Sequence, residues 1–555
     1  GYLDQFAGDG SAEPYTPTIH ARLQGFAIAA GATLLAVFFW LRLRPLTEHV
    51  SFVPCTRSSS VLRVAWRTLS ANGIAIGSVT LLAAILRLIN LSQPIRHDEA
   101  YTYMTFARYP WFVGVSVYSD PNNHVFNTLL VNLSTSAFGN GEWAIRLPAL
   151  LAGIATVPAT YVAVRLVAPP LCAVLAAITV ATSSVMIEFS TNARGYAIVS
   201  LCVALGMIAI PLIARSTRRG KPVHEAWRLL ILATTLASWT VPTALYPSII
   251  LWTWLLLSVG RAVDRTERRG FLVCYAASAI VTVAATVLLY SPVLLVSGPG
   301  SVLANPYVRA MSLEQFVRGI PHELSLVYEL LARDCPSVLQ GLLLLGLLRF
   351  IAGRARTRSG PALLAGLLGM LVLIALQRVL PPARVMQFLV PVVIIIGFSG
   401  IAGAFATLNR RRRVVVGIAG IGLCGVWPLL SLFAHNSVLT SEETGVFPEA
   451  RQVLEHIAAS SADRGRAPAK IITIYPVGAP ITYTALRYGF DMRMFDRPQG
   501  DELPDAVVLS TITYHQSVRE VLEGSAAAPP EFADRFCETE TFPTVQLYRW
   551  CDAWR

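Results

Sequence analysis

Charged residues are scarce in this sequence. Only 14% of its 555 residues are Asp, Glu, Lys or Arg, whereas 54% are hydrophobic, and the mean hydropathy is +0.55. Soluble domains usually carry about 25% charged residues. The composition therefore excludes an ordinary water-soluble globular protein and indicates an integral membrane protein.

Motifs for nucleotides and structural metals are also missing. The sequence has no GxxxxGK[ST] loop, which cradles nucleotide phosphates, and its eight cysteines form no CxxC pair. No cofactor can be named from these residues. A divalent metal stays open, but no ligand pattern supports one.

The basic residues do not form a nucleic-acid-binding face, although the formal net charge is +12. They fall in short blocks such as "RSTRRGKP" and "NRRRR" between apolar runs. Such blocks are topology signals, because the cytoplasmic loops of membrane proteins collect Lys and Arg. We expect membrane lipids, and no nucleic acid, as partners of this chain.

Long apolar runs dominate the chain and predict an α-helical polytopic membrane protein. A spanning helix needs about 20 mostly apolar residues, so we expect about twelve transmembrane helices. They are predicted at residues 23–43, 72–93, 144–167, 171–189, 196–214, 227–243, 247–260, 271–296, 336–351, 361–379, 385–406 and 414–433.

The basic blocks all fall on one side of the membrane if these spans alternate, which makes that side cytoplasmic. Both termini and the loop after 72–93 are then extracytoplasmic. The stretch 124–138 is short and rich in Asn, Ser and Thr, so we predict a helix lying at the outer interface. The Ala- and Arg-rich composition favours a bacterial inner (plasma) membrane.

The hydropathy divides the chain into three parts. Residues 1–70 hold an extra N-terminal transmembrane helix and a basic cytoplasmic segment, 71–434 form the main membrane domain, and 435–555 follow as a mixed tail. The tail alternates short β-type runs with an amphipathic helical segment, which predicts an extracytoplasmic α/β domain. Within it, Cys537 and Cys551 are predicted to form a disulfide in an oxidising compartment, the alternative being two unpaired thiols.

Two adjacent carboxylates follow the span at 72–93. The stretch "QPIRHDEAYTYMTFARYP" places Asp98 and Glu99, beside Arg96 and His97, where the chain leaves the membrane. A charge near the bilayer is costly unless it faces water, a partner or a substrate, so the pair is a candidate functional site. The alternative is a solvated helix start capped by acids.

Two other loops predicted on the same side hold further candidates. The segment "SDPNNHVFN" contains Asn123 and His124, and "FSTNARGYAI" puts Arg194 at the junction of two spans. An arginine there can bind a carboxylate or a phosphate. The alternatives are interfacial packing for His124 and snorkelling to lipid headgroups for Arg194.

Later outer loops add another acid and more cations. The loop 297–335 contains His322 and Glu323 and is long enough to cover a site, and "QRVLPPARVMQF" carries Arg378 and Arg384 around a Pro-Pro break. Arginines on the outer side run against the positive-inside bias, which favours binding of a phosphate or anionic headgroup. Ordinary lipid contact is the alternative.

Together these segments resemble a known family. The acidic pair in the first large outer loop, the polar start of an interfacial helix, "RLPALLAGIATVPATYVAVRL" and a span ending at "STNARGYA" resemble the GT-C glycosyltransferases. The similarity is to the branch with protein O-mannosyltransferases and bacterial lipid A aminoarabinose transferases. It covers residues 90–215, with a weaker echo at "ARVMQFLVPVV".

The resemblance implies an enzyme that takes a hexose or pentose from a polyprenyl-phosphate donor. The acceptor would be a glycolipid, polysaccharide or protein of the cell envelope, on the extracytoplasmic face. Asp98 matches the acid that can act as general base, with Glu99 as its neighbour in the motif. Arg384 matches the arginine that would hold the carrier phosphate.

The remaining motif residues match only in part. Asn123 and His124 correspond to one family segment, but the two following positions lack its prolines. Arg194 and Tyr196 correspond to another, in which Asn192 replaces the usual Glu. These departures leave acceptor identity and metal dependence open.

The chemistry of such a transfer agrees with these residues. Displacing a phosphate from an anomeric carbon needs a base for the acceptor hydroxyl and cations for the departing phosphate. Asp98 can supply the first, and Arg384, Arg378 or Arg194 the second. One carboxylate is enough for single displacement, so we expect inversion at the anomeric carbon.

Two other functions remain open from the sequence. A transporter or flippase of lipid-linked saccharides would also place charges among many spans, although such proteins usually show internal repeats and charged, broken helices near the midplane. A non-catalytic envelope scaffold would use the C-terminal domain to bind a partner. Neither explains the acidic pair and the outer arginines as directly as glycosyl transfer does.

Overall fold

The structure, a computed structural model, describes most of the chain. The described residues are 61–218, 224–260, 265–305, 309–353, 359–439, 446–462, 470–496, 504–511, 516–525 and 529–551, with Ala21, Gln24, Gly25 and Ile28. The span predicted at 23–43 therefore lies almost entirely outside the described residues.

The described residues from 61 to 439 fold as a bundle of helices. They are α1 (Val61–Ser70), α2 (Gly73–Ile89), α3 (His97–Thr102), α4 (Trp111–Gly114), α5 (Val125–Phe138), α6 (Glu142–Arg165), α7 (Pro170–Thr182), α8 (Ser184–Ser190), α9 (Tyr196–Thr217), α10 (His224–Thr240), α11 (Leu245–Gly260), α12 (Arg265–Val296), α13 (Gly298–Leu303), α14 (Leu313–Ala332), α15 (Ser337–Ala352), α16 (Ser359–Gln377), α17 (Leu389–Gly400), α18 (Ala402–Ala406), α19 (Arg410–Ile421) and α20 (Trp427–His435). Short 3-10 turns at Pro242–Ala244 and Ala383–Phe388 precede α11 and α17, and π-helical turns at Tyr103–Ala107 and Gly422–Val426 follow α3 and α19.

The bundle confirms a multi-pass helical membrane fold. Every predicted span from 72–93 onward coincides with a helix or with a bent pair of helices. In the described part, 7 helices are long and apolar enough to cross a membrane, or up to 10 if each bent pair counts as one span. The helix α10 has 17 residues and is counted neither as a span nor as part of a bent pair. The total of about twelve transmembrane helices therefore stays a prediction.

Three helices near the loops are turned away from the spans or too short to cross. The helix α5 has 14 residues, fewer than a span needs. The amphipathic α14 is bent by 108° from α15, and α1 is bent by 94° from α2. The segment 124–138 is thus a short helix outside the set of spans, as its polar residues predict.

Glycines let two spans approach closely. A Cβ atom added at Gly346 of α15 would overlap the carbonyl of Gly397, and one added at Gly400 of α17 would overlap the carbonyl of Gly346. Small residues at such crossings are the usual means of packing helices in lipid, where van der Waals contact replaces the hydrophobic effect. The α15–α17 contact therefore depends on the absence of side chains.

The tail folds as the predicted α/β unit. Its elements are α21 (Ala450–Ala462), β1 (Ile471–Ile472), α22 (Gly478–Tyr488), β2 (Ala506–Ser510), α23 (Val518–Ser525), β3 (Phe536–Thr541) and β4 (Val545–Trp550). The sheet has the order β1-β2-β4-β3, with β1 parallel to β2 and the other pairs antiparallel. Cys537 in β3 and Cys551 after β4 are joined by a disulfide, with Cα atoms 5.0 Å apart.

The C-terminal unit is docked onto the first large loop of the bundle. The hydroxyl of Tyr483 donates to the carbonyl of Asn140 at 2.7 Å, and Arg487 pairs with Glu142 at 2.9 Å. Asp98 lies at this end of the bundle, which we call the domain-bearing end. That it faces the extracytoplasmic side stays a prediction from the charge pattern.

We predict that the α15–α17 crossing does not tolerate a side chain. Gly400→Leu should lower the free energy of unfolding by about 3 kcal/mol or more, because the backbones must separate to admit it. The measurement is the thermal midpoint and monodispersity of the detergent-purified protein.

Gly403→Leu is the matched control, since a Cβ atom there meets nothing within 4 Å. Equal midpoints for the two variants would contradict the proposed packing.

Candidate active site

The carboxylates of Asp98 and Glu99 point in different directions. Both lie in the first turn of α3, where consecutive residues face different sides of a helix. The Asp98 side chain is 16% exposed and pairs with Arg194, whereas Glu99 is fully buried. Of the two acids, Asp98 is the one that a substrate can reach.

Glu99 is held by a buried arginine of α6. The guanidinium of Arg146 donates to the two Glu99 oxygens at 2.7 and 3.2 Å, and both side chains are 0% exposed. The same guanidinium donates to the carbonyls of Leu91 and Gln93, each at 2.7 Å. The carboxylate of Glu99 therefore anchors the loop and is enclosed by protein, and its catalytic role stays a prediction.

A turn between α8 and α9 presents Arg194 to Asp98. Gly195 follows Arg194, and a Cβ atom at this position would overlap Thr240 and lie 3.1 Å from Nδ1 of His124. The Gly195 amide donates to that Nδ1 at 2.8 Å. Only glycine lets the turn pack this closely, so the backbone fixes where the arginine emerges.

His124 and Tyr196 complete the wall around Arg194. The rings of His124 and Tyr196 are 4.9 Å apart, edge to face, and the guanidinium of Arg194 lies 5.3 Å from the Tyr196 centroid. Because Nδ1 of the neutral His124 ring accepts a hydrogen bond, its proton lies on Nε2. This Nε2 is 3.4 Å from Nη2 of Arg194, so two donors face the same space.

Arg384 brings a second cation to His124. It is half-buried in the 3-10 turn Ala383–Phe388. Burial, together with the positive charge of Arg384, lowers the pKa of His124 from 6.5 to about 3. Sequence segments more than 250 residues apart thus converge, and His124 is neutral at the pH of ordinary assays.

Asn123 is hydrogen-bonded within the loop before α5. Its amide donates to the carbonyls of Gly114 and Val117 at 2.9 and 2.7 Å, and its oxygen accepts from Thr128 at 2.7 Å. The side chain is 0% exposed. Asn123 therefore holds the loop before α5, and its amide is enclosed by protein. Its contact with a substrate stays a prediction.

Three other predicted residues lie outside this cluster. Arg378 is exposed, in a left-handed conformation with φ 51°, and its carbonyl accepts from the amide of Met311 at 2.9 Å. His322 is exposed and Glu323 half-buried on α14, where partial burial raises the pKa of Glu323. Among the described residues, none of these three side chains makes a hydrogen bond or ion pair with Asp98, His124 or Arg194.

The structure adds a charged group that sequence reasoning missed. Glu188 of α8 accepts from Arg96 at 3.0 Å and pairs with Arg333 after α14. The sequence does contain a sign of this role, because Glu188 lies inside the predicted span 171–189. Acids within apolar spans are rare, and they are usually functional or paired with a cation. Arg146 carried a similar signal at the start of the span 144–167.

The C-terminal unit contacts the residue before Asp98. His97 donates from Nδ1 to the carbonyl of Pro476 at 2.8 Å, and its ring lies 4.5 Å from that of Tyr475. Burial, with a smaller effect from Arg194, lowers the pKa of His97 from 6.5 to about 4. The β1–α22 connection therefore forms one side of the Asp98 region.

Metal ligands do not gather around this cluster. Across the described ranges, no three His, Cys, Asp or Glu side chains come together as they would to hold an ion.

Comparison with known proteins identifies the fold. No protein-family model matches the chain, and no curated protein matches it by sequence. ArnT from Cupriavidus metallidurans in the apo state is similar, with a TM-score of 0.52 and 14% identity, over 86% of this chain and 98% of ArnT. The same protein bound to undecaprenyl phosphate gives 0.50 and 14%, over 87% and 99%.

An archaeal structure matches equally well. The oligosaccharyltransferase of Archaeoglobus fulgidus, tethered with an acceptor peptide, has a TM-score of 0.52 and 12% identity, over 86% of this chain and 74% of that one. ArnT and this enzyme are GT-C glycosyltransferases. The chain therefore has the GT-C fold, which the resemblance over residues 90–215 predicts.

We predict an acid-sensitive stability from the two buried histidines. Their pKa values in the folded protein, about 4 for His97 and about 3 for His124, lie below the ordinary 6.5. The unfolded chain therefore binds more protons, so this stabilisation is present above pH 6.5 and is lost as pH falls toward 4 and 3. The double variant His97→Asn, His124→Asn should lose less of its thermal midpoint between about pH 7 and about pH 5.

His456→Asn is the control, because His456 is 45% exposed and pairs with Glu540 at the surface of the C-terminal unit. An unchanged acid response in the double variant would contradict the assignment.

Proposed function

We propose that this protein is a glycosyltransferase that moves a sugar from a polyprenyl-phosphate donor to a hydroxyl of a cell-envelope acceptor. One observation carries the proposal: the accessible carboxylate of Asp98 lies against Arg194, beside His124 and Arg384, within a GT-C fold. A base and cations are the two things that this displacement requires.

The donor phosphate would lie among the cations. The guanidinium of Arg194 and Nε2 of His124 face the same space, and Arg384 adds a second guanidinium beside the imidazole. Guanidinium groups bind phosphate oxygens through paired hydrogen bonds and cannot lose their charge at neutral pH. Because His124 is neutral, its Nε2–H can donate one hydrogen bond to a phosphate oxygen, and the ring carries no extra proton to give up.

The transfer itself would be a single displacement. The acceptor hydroxyl oxygen attacks the anomeric carbon while the bond from that carbon to the phosphate oxygen breaks, and the electron pair leaves with the phosphate. The hydroxyl proton passes to the Asp98 carboxylate. Arg194, paired with Asp98, holds this carboxylate in place.

We expect inversion at the anomeric carbon, because the proposed reaction uses one carboxylate, that of Asp98. A double displacement needs a second carboxylate near the anomeric carbon. Glu99 cannot serve, because Arg146 encloses it. With Glu99 enclosed, we propose a single displacement, with the product anomer opposite to that of the donor.

The similarity to ArnT bound to undecaprenyl phosphate supports a lipid-linked donor. A polyprenyl phosphate reaches the cluster from within the bilayer. We place the reaction at the extracytoplasmic face of a bacterial inner membrane, on the charge pattern of the loops. The cluster also lies at the end of the bundle and not at its midplane, which disfavours a transporter.

Asp98→Asn should reduce the rate of transfer by about 10²-fold to 10⁴-fold, because the amide cannot accept the hydroxyl proton. The assay follows polyprenyl phosphate released by the purified protein from a lipid extract of its source, by mass spectrometry, and NMR assigns the product anomer. Asp491→Asn, at an exposed site in the C-terminal unit, is the control and should keep full activity.

Transfer by Asp98→Asn at more than a tenth of the wild-type rate would remove Asp98 as the base. Translocation of lipid-linked saccharide by the wild type, with no transfer, would instead favour a transporter.

Arg384→Ala should lose a copurifying lipid. Polyprenyl phosphate, bare or carrying a sugar, is expected in the mass spectrum of the wild-type protein and should fall about tenfold or more without this cation. Arg378→Ala is the matched control, because Arg378 is an exposed arginine six positions earlier.

Equal lipid content in the Arg384→Ala and Arg378→Ala variants would show that Arg384 is only a headgroup anchor. Bulk phospholipid alone in the wild type would speak against the donor.

A further inference from the structure

An aromatic side chain of the C-terminal unit lies exposed beside the turn that carries Asp98. Tyr475, in the connection between β1 and α22, is 43% exposed. Its ring is 4.5 Å from that of His97, at an interplanar angle of 76°, so the edge of one ring meets the face of the other. His97 directly precedes Asp98, and the Cα atoms of consecutive residues are about 3.8 Å apart. A ring open to solvent therefore borders the proposed base.

His97 offers a hydrogen-bond acceptor at the same place. Burial lowers the pKa of His97 to about 4, so the ring is neutral at neutral pH. Because its Nδ1 donates to the carbonyl of Pro476, the other nitrogen, Nε2, carries a lone pair and no proton. No described residue donates to Nε2, and this atom is not closed off from solvent. A hydroxyl donor from outside the protein can therefore reach it.

The C-terminal unit holds this arrangement in place. The rings of Tyr483 in α22 and Tyr103 after α3 are both buried and pack edge to face, with centroids 5.8 Å apart. The carbonyl of Tyr475 accepts from the side-chain amide of Gln516 at 2.6 Å. The β1–α22 connection is thus anchored to α3 through Pro476 and to its own domain through Gln516. The exposed ring has a fixed position relative to Asp98.

A ring face and a lone acceptor match the chemistry of a saccharide. One face of a sugar ring carries mostly C–H groups, whose hydrogens are slightly positive and are attracted to the negative face of an aromatic ring. Each sugar hydroxyl is a donor that can satisfy a nitrogen lone pair. Tyr475 and His97 supply these two contacts, and Asp98 can accept the proton of a further hydroxyl.

We propose that Tyr475 and His97 bind the acceptor of the transfer reaction, and that this acceptor is a saccharide. The inference rests on the proposed glycosyl transfer and names the class of its acceptor. One sugar ring stacks on Tyr475, one of its hydroxyls donates to Nε2 of His97, and the attacking hydroxyl lies at Asp98. Because Tyr475 is at the surface, a chain of several sugars continues from it into solvent.

Two other acceptor classes match these groups less well. Peptides are usually bound through main-chain hydrogen bonds and pockets for their side chains. Nε2 of His97 carries no proton, so it gives a peptide carbonyl no donor. A phosphorylated acceptor would compete with the donor phosphate for Arg194 and Arg384. An uncharged acceptor rich in hydroxyls leaves both cations to the donor.

The experiment measures binding separately from transfer. Saturation-transfer NMR is recorded on the full chain, in a detergent without a sugar headgroup. One probe is the oligosaccharides that mild acid releases from the cell envelope of its source, and the other is a set of serine- and threonine-containing peptides. The wild type and the Asp98→Asn variant should both transfer saturation to sugar C–H protons and not to the peptides.

The ring of Tyr475 is tested by a graded series of variants. Tyr475→Ala should weaken saccharide binding by about threefold to tenfold, whereas Tyr475→Phe and Tyr475→Trp keep a ring and should retain it. In the assay of released polyprenyl phosphate, Tyr475→Ala should raise the KM for the oligosaccharides and leave kcat nearly unchanged. Tyr475→Leu, which keeps apolar bulk without a ring, gives the same test if the alanine variant does not fold.

Tyr488→Ala is the matched control and should bind as the wild type does. Tyr488 is 47% exposed and lies at the other end of α22, about 16 Å along the helix. Binding of the peptides alone, or equal saccharide binding by the wild type and the ring-free variants, would overturn this inference even if transfer occurs. Saccharide binding that depends on Tyr475, with no transfer by the wild type, would support the saccharide site and contradict the proposed glycosyl transfer.

Discussion

A charge buried away from water has to be paired, and this constraint organises the domain-bearing end of the bundle. The fully buried pair Glu99–Arg146 ties α3 to α6, and Arg96–Glu188 ties the first loop to α8. Breaking such a pair by removing one partner leaves an uncompensated charge, at a cost of about 3–5 kcal/mol. The loop that carries Asp98 is therefore fixed by electrostatics as well as by apolar packing. Its carboxylate can stay partly exposed, because the neighbours on both sides are anchored.

The same constraint separates chemistry from scaffolding among residues that look alike in sequence. Asp98 and Glu99 are adjacent acids, but a helical turn sends one toward Arg194 and the other into the core. Arg384 and Arg378 are close in sequence, yet one lies beside His124 and the other is exposed. Pairing thus decides which charged atoms remain available for substrates.

Several parts of the fold and site could be predicted from residue patterns. Apolar runs located the helices from 72–93 onward, and polar residues in 124–138 set α5 apart from the spans. The tail composition predicts the α/β unit, and the positions of Asp98, His124, Arg194 and Arg384 at the ends of spans mark each of them as a candidate. What the sequence could not supply has a common cause. Only the fold shows that Thr128 and Arg146 contact the side chains of Asn123 and Glu99, and that Glu188, which lies within an apolar run, is paired with Arg96.

The sequence by itself determined that the protein is a multi-pass helical membrane protein with a C-terminal α/β unit, because hydrophobic length and charge distribution act locally along the chain. It also determined which residue types could bind a phosphate or accept a proton. The tertiary structure alone decided that Arg194 faces Asp98, that Arg146 takes Glu99, and that Tyr475 of the C-terminal unit lies beside His97. These outcomes depend on contacts between residues far apart in the chain, and electrostatic pairing is set by distance in space, which no local pattern encodes.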